Sequence, residues 1–109
     1  MTFRWKMAKY ERNQMSLDIC IIGENKVHYS ITAPIVGKMN RQRTVDNHAL
    51  TMPITNPTDA DIYLTVKKAL ETRKDAAFSP NEISNLIEGC TTIRRVEPRT
   101  PRRRDFLYR

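Results

Sequence analysis

Glycine is scarce, with three residues in a chain of 109. A phosphate-cradling loop needs several glycines close together, and none can be assembled from this set. Cysteine is scarcer. Cys20 and Cys90 stand far apart, with no His or Cys near either at ligand spacing, which argues against a zinc site. Two buried thiols, or a disulfide within or between chains, are the open readings. No apolar run approaches about 18 residues, so no membrane-spanning helix is expected. The charged N-terminus lacks the apolar segment of a signal peptide. These absences predict no membrane partner, and a protein made and used, or assembled, in a cytoplasm. Nucleophile elbows, H-E-x-x-H and paired carboxylates in an apolar setting are also missing. The chain therefore reads as a non-enzyme with no cofactor and no metal.

Positive charge is what the chain has in excess. Nineteen Lys and Arg against twelve Asp and Glu give a net charge of +7, and the pI is about 9.8. Such a balance favours a polyanionic partner, nucleic acid first and an anionic membrane surface second. At 109 residues one domain is expected, small enough to depend on a second chain for part of its burial.

The first half alternates with period two. FRWKMAKY (3–10) sets Phe3, Trp5 and Met7 against Arg4 and Lys6. In LDICII (17–22), Leu17, Ile19 and Ile21 share a side, and Asp18, Cys20 and Ile22 take the other. GEN (23–25) is a turn signal leading into KVHYSITAPIV (26–36), a hairpin whose end Pro34 weakens. After the cationic loop GKMNRQR (37–43), VDNHALTMPI (45–54) reads as another strand. Val45, Asn47, Ala49 and Thr51 are expected on one of its faces, and His48, Leu50 and Met52 on the other.

The second half switches to helical spacing. Thr58 is a plausible N-cap with Asp61 three residues on. Ile62, Val66, Ala69 and Leu70 then make one apolar stripe, in a helix predicted to run to about Lys74. A second helix starts at SPNE (79–82): Ser79 caps, Pro80 takes the first position, Glu82 reaches back, and Gly89 stops it. The tail from 91 to 109 holds seven arginines against Glu97 and Asp105. Within it TTIRRV reads as a short edge strand, and the rest, with Arg102, Arg103 and Arg104, as an arm extended or disordered until bound.

The predicted fold is α+β: an antiparallel sheet with two helices on one face, as a domain over 1–90, and a basic arm over 91–109. Phe3, Trp5, Tyr29, Ile31, Leu50 and Met52 would line the covered face. Arg4, Lys6, His28, Ser30, Thr32, Asn47 and Thr51 would line the open one. Cations for phosphate, with Ser, Thr and Asn for base edges, are what a sheet uses to hold RNA. An ordinary solvated face is the competing reading. For the arm, RNA binding competes with solubilisation or docking on a neighbouring subunit. The two histidines fall on opposite faces, so a shared metal or acid–base role is not expected.

NHALTMPITNPTDADIYLTVKKAL, followed by FSPNEISNLIEG, resembles the C-terminal half of the coat proteins of single-stranded RNA bacteriophages (the levivirus type). In that family a last strand with an L-T-x-P-I-like stretch runs into a polar break, a long helix, and a short helix that starts near a proline. KVHYSITAPIV is similar to the preceding strand. The resemblance covers roughly residues 3–89. It implies an intertwined homodimer whose core takes Trp5, Tyr29, Ile31, Leu50, Ile62, Val66 and Leu70, the helix stripe burying against the other chain. It further implies an icosahedral capsid, a virion location, and genomic single-stranded RNA on the inner sheet face. Carried over by position, the RNA-facing residues are Arg4, Lys6, His28, Ser30, Thr32, Val45, Asn47 and Ala49. Ser30 stands where the family tends to have a lysine, and Val45 where it has a stacking tyrosine. LDICII and the long arm are additions to the family pattern.

Two other readings exist. VKKALETRKDAAFSPNEISNLIEGCTTIRRV can be taken as part of a winged helix-turn-helix of a DNA-binding regulator, which needs a recognition helix after Gly89. A ribonucleoprotein subunit that threads its arm into RNA is the other.

Overall fold

The structure, a computed structural model, describes residues 9–38, 40–74 and 77–97. Arg4, Trp5, Lys6 and the arm residues Arg102, Arg103 and Arg104 lie outside the described residues, as does most of the strand expected over 3–10. Its last residue, Tyr10, makes an isolated antiparallel bridge to Ile35.

Strand β1 (Ser16–Ile22) turns through Gly23 into β2 (Lys26–Pro34). Gly23 has φ +67°, a left-handed conformation that glycine adopts without strain. The two strands pair antiparallel, with Leu17 opposite Ile31, Ile19 opposite Tyr29 and Ile21 opposite Val27. All six side chains are buried, as a period-two pattern with one covered face requires. Strand β3 (Gln42–Thr51) pairs antiparallel with β2.

Helix α1 (Asp59–Glu71) starts with the expected capping box: the Asp61 amide donates to Thr58 Oγ1 at 3.2 Å, and the Thr58 amide to Asp61 Oδ2 at 3.1 Å. It ends at Glu71, short of Lys74. There the Thr72 hydroxyl donates to the Ala69 carbonyl at 2.9 Å, and the Arg73 guanidinium is committed to Asp46 in the sheet. The stripe Ile62, Val66 and Leu70 is buried against the chain's own core cluster.

Helix α2 (Pro80–Gly89) begins as its sequence signals. The Ser79 amide donates to Glu82 Oε1 at 2.9 Å, and the Glu82 amide to Ser79 Oγ at 3.1 Å. Arg12, in the short 3-10 turn Arg12–Gln14, reaches the same carboxylate in a two-pronged pair: Nε to Oε2 and Nη2 to Oε1, each 2.7 Å. The Arg12 hydrogen bonds hold the Glu82 carboxyl down at about 2, against an ordinary 4.5, helped by the Ser79 amide and opposed by burial. A carboxyl depressed in the folded state stabilises fully above its unfolded value. That contribution is lost as pH falls through the folded value, here over a window from 4.5 to about 2. Because the Arg12 side chain is 42% exposed, solvent screening keeps the contribution at about 1 kcal/mol. Glu82→Gln should therefore lower stability by about 1 kcal/mol at pH 7. In urea melts the difference from wild type should shrink as pH falls from 4.5 and be gone only below about 2; a constant difference would contradict it.

Strand β4 (Ile93–Val96) corrects two expectations. It pairs parallel with β1, Ile19 beside Ile93 and Ile22 beside Val96, so the sheet is mixed, in the order β3-β2-β1-β4, and not purely antiparallel. The boundary expected after residue 90 also cuts through the fold. Ile93 is buried in the core, and the Gly23 amide donates to the Val96 carbonyl at 3.0 Å. After α2 the chain returns over the covered face and enters the free edge of β1 in that strand's own direction.

Tyr29, Ile31, Ile62, Val66 and Leu70, expected at a dimer core, are each at most 1% exposed within this one chain. Their burial needs no second copy, because α1 closes its stripe on the sheet of its own chain. Leu50 is half-buried, packed against the same cluster.

Candidate nucleic-acid interface

Paired residues in a sheet share a face, so the register defines the open side. Ser30 lies between Asp18 and Asn47, and His28 between Cys20 and Ala49; Cys20 in turn neighbours Arg94. Lys26 sits opposite both Ile22 and Thr51, and Thr32 opposite both Ser16 and Thr44. His28, Ser30, Thr32 and Asn47 are thus together, as expected, with Asn47 directly across from Ser30. Lys26, His28, Asn47 and Arg94 are exposed; Ser30 and Thr32 are half-buried. Among the described residues none of these six side chains is taken up by a hydrogen bond or ion pair. Within the described chain their donors and acceptors are free for a ligand. Lys26 and Arg94 supply cations that the sequence reading had not assigned to this face.

Val45 departs from expectation. The register slips between Ile31 and Thr32: Ile31 faces Asp46 while Thr32 faces Thr44, which leaves Val45 as the extra residue of a bulge. Val45 packs against the core. It is not part of the open face, although strict alternation assigns it there.

Beneath the face lies a buried polar network. Asp46 is 9% exposed. Tyr29 donates its hydroxyl to Asp46 Oδ2 at 2.8 Å, while Arg73 donates Nε to Oδ2 at 3.1 Å and Nη2 to Oδ1 at 2.8 Å. Burial, then the bond to Asp46, pushes the Tyr29 phenol well above its usual value, so it remains a proton donor at any physiological pH. The network ties β2, β3 and the end of α1 at the bulge beside Asn47. It acts on the interface through position and does not touch a ligand. His48 lies on the covered side, edge-on to Tyr29 with ring centroids 6.2 Å apart, so the two histidines do face opposite ways.

A second polar region was not legible as a site. The Tyr10–Ile35 bridge draws the segment around Lys9 against the loop between β2 and β3. The Val36 amide donates to the Lys9 carbonyl at 2.9 Å, the Glu11 amide to Pro34 at 2.9 Å, and the Ile35 amide to Arg41 at 3.0 Å. Lys9, Lys38 and Arg41 are exposed there. The Arg43 and Arg12 guanidinium carbons lie 5.0 Å and 5.8 Å from the Tyr10 ring centre, and Arg12 Nη1 donates to the Tyr10 hydroxyl at 2.9 Å. The signals were GKMNRQR and the tyrosine closing FRWKMAKY; what joins them is a contact 25 residues apart in sequence.

The cysteines are both free thiols. Burial pushes the Cys90 thiol up, away from reactivity. Among the described residues no group of three or more His, Cys, Asp or Glu is placed to hold a metal ion, and no helix is long and apolar enough to cross a membrane.

No family model, no curated protein and no solved structure matches this chain.

Proposed function

We propose that this protein binds single-stranded RNA along the open face of its sheet, with the arginine-rich C-terminal arm adding phosphate contacts, and that it does so without catalysis. The observation that carries the reading is the set His28, Ser30, Thr32 and Asn47. It sits on one exposed face with Lys26 and Arg94, and none of its side-chain polar groups is consumed within the described chain. Hydroxyl, amide and imidazole groups suit base edges, and the cations suit phosphates. Single strands are the favoured ligand because a sheet face can lie against splayed bases, whereas duplex RNA hides its base edges in a deep, narrow groove.

The specific form we favour is a coat protein that dimerises, assembles into an icosahedral shell and packages its genome, with the virion as its location. Two things support it: the resemblance over residues 47–87, and the outer edge of β3. That edge is ten residues long and unpaired among the described residues, which suits pairing with a second copy. A winged helix-turn-helix is disfavoured, because a recognition helix is required after Gly89 and the chain there forms β4.

The test is fluorescence anisotropy with a labelled single-stranded RNA oligomer. Ser30→Glu with Asn47→Asp places two negative charges on the exposed face without touching the core. Affinity should fall by about tenfold or more, since like-charge repulsion adds to the lost contacts. Unchanged affinity in a variant that melts like wild type would remove the open face from the interface.

A further inference from the structure

At the corner where residue 9 meets the β2–β3 loop, Lys9, Lys38 and Arg41 are exposed together. The corner is also built rather than merely exposed. The loop is two successive turns, closed by the Lys38 amide on Ile35 at 3.1 Å and the Arg41 amide on Lys38 at 3.4 Å. Gly37 (φ +78°) and Asn40 (φ +59°) supply the left-handed residues these turns need. Lys38 and Arg41 thus leave from fixed backbone positions, and the bond from Val36 holds Lys9 beside them. Arg43 lies over the Tyr10 ring at the foot of the loop, its guanidinium carbon 5.0 Å from the ring centre. Glu11 shares the ladder through its amide, which donates to Pro34, and Glu82 is held by Arg12.

We infer that Lys9, Lys38 and Arg41, gathered beside Tyr10 by the Tyr10–Ile35 bridge, form a phosphate clamp that holds successive phosphodiesters at one end of a bound single strand. The inference rests on the reading of the sheet face as an RNA interface and extends it with a distinct site. The corner lies at the end of the sheet where Thr32 pairs with Thr44 and Pro34 with Gln42, so a strand running along the open face reaches it there. A strand that leaves the face there meets three exposed cations and an aromatic ring. Arginine forks match phosphate oxygens two at a time, and a tyrosine–arginine stack offers a flat surface to a terminal base. The clamp carries no base specificity of its own; it fixes the strand's position and adds salt-dependent affinity.

The experiment compares wild type with Lys9→Glu/Lys38→Glu/Arg41→Glu by anisotropy, using labelled single-stranded RNA and DNA 12-mers over a salt series. None of the three side chains makes an interaction within the described chain, so the melting temperature should hold; Lys9→Gln/Lys38→Gln/Arg41→Gln is the second variant if the reversal unfolds. Affinity should drop at least about tenfold, and the slope of log affinity against log salt should become shallower by about 2, near 0.7 for each of three lost phosphate contacts. Similar losses on RNA and DNA are expected of a clamp that reads phosphate alone. If the variants bind with wild-type affinity and slope while the Ser30/Asn47 variant is weakened, the clamp is overturned and the sheet-face reading stands. If wild type binds neither oligomer, or binds only vesicles of phosphatidylserine and phosphatidylcholine, both are overturned.

Discussion

Asp46→Ala is expected to destabilise the protein by about 3 kcal/mol, lowering the melting temperature by on the order of 15 °C. The carboxylate accepts from the Tyr29 hydroxyl and from two nitrogens of Arg73, and it is almost fully buried. Removing it strands the Tyr29 hydroxyl, whose ring is fully buried, without its acceptor. It also takes the carboxylate from a guanidinium only about a quarter exposed. The milder Tyr29→Phe removes one donor and leaves Asp46 with Arg73, so a loss of only about 1 kcal/mol is expected. The ordering matters more than either figure, since desolvation makes a half-broken buried network worse than a missing hydrogen bond. Urea denaturation of both variants checks it. Equal, small losses would mean that the network does not hold the bulge.

Removing residues 98–109 is expected to have the largest effect on binding. That segment holds Arg99, Arg102, Arg103, Arg104 and Arg109 against one acid, Asp105. With three of these arginines on phosphates, the salt slope should become shallower by about 2, and affinity near physiological salt should fall by roughly ten- to a hundredfold. Every described element lies before residue 98, and a cooperative melt like that of wild type checks that the truncated protein is folded. Nucleic-acid content and affinity that survive the truncation unchanged would assign the arm another task, such as docking on a neighbouring subunit.

What the sequence revealed and what it hid divide along one physical line. Thr58 with Asp61, Ser79 with Glu82, and the alternation through residues 17–34 are signals carried within a few residues, and each appears as an element at its expected place. The faces of His28, Ser30, Thr32 and Asn47 follow from period two and a single hairpin. Period two fails at Val45, because a bulge adds one residue that alternation cannot count. TTIRRV has strand character, but character does not encode a partner, so its parallel place beside β1 was not legible. Asp46 falls on the covered side of β3 by the same alternation that places His48 and Leu50. Its role depends on Arg73 and Tyr29, which arrive from two other elements. The stripe Ile62, Val66 and Leu70 showed that something must cover it, without saying that the chain's own sheet would.

The most direct test of the central claim is size-exclusion chromatography of the recombinant protein, with absorbance read at 260 and 280 nm and the leading peak viewed by electron microscopy. RNA binding predicts co-eluting nucleic acid that high salt removes, and the coat form of the proposal predicts that this peak consists of uniform shells. A small species with protein-only absorbance, which also fails to retain added single-stranded RNA at low salt, would contradict the account.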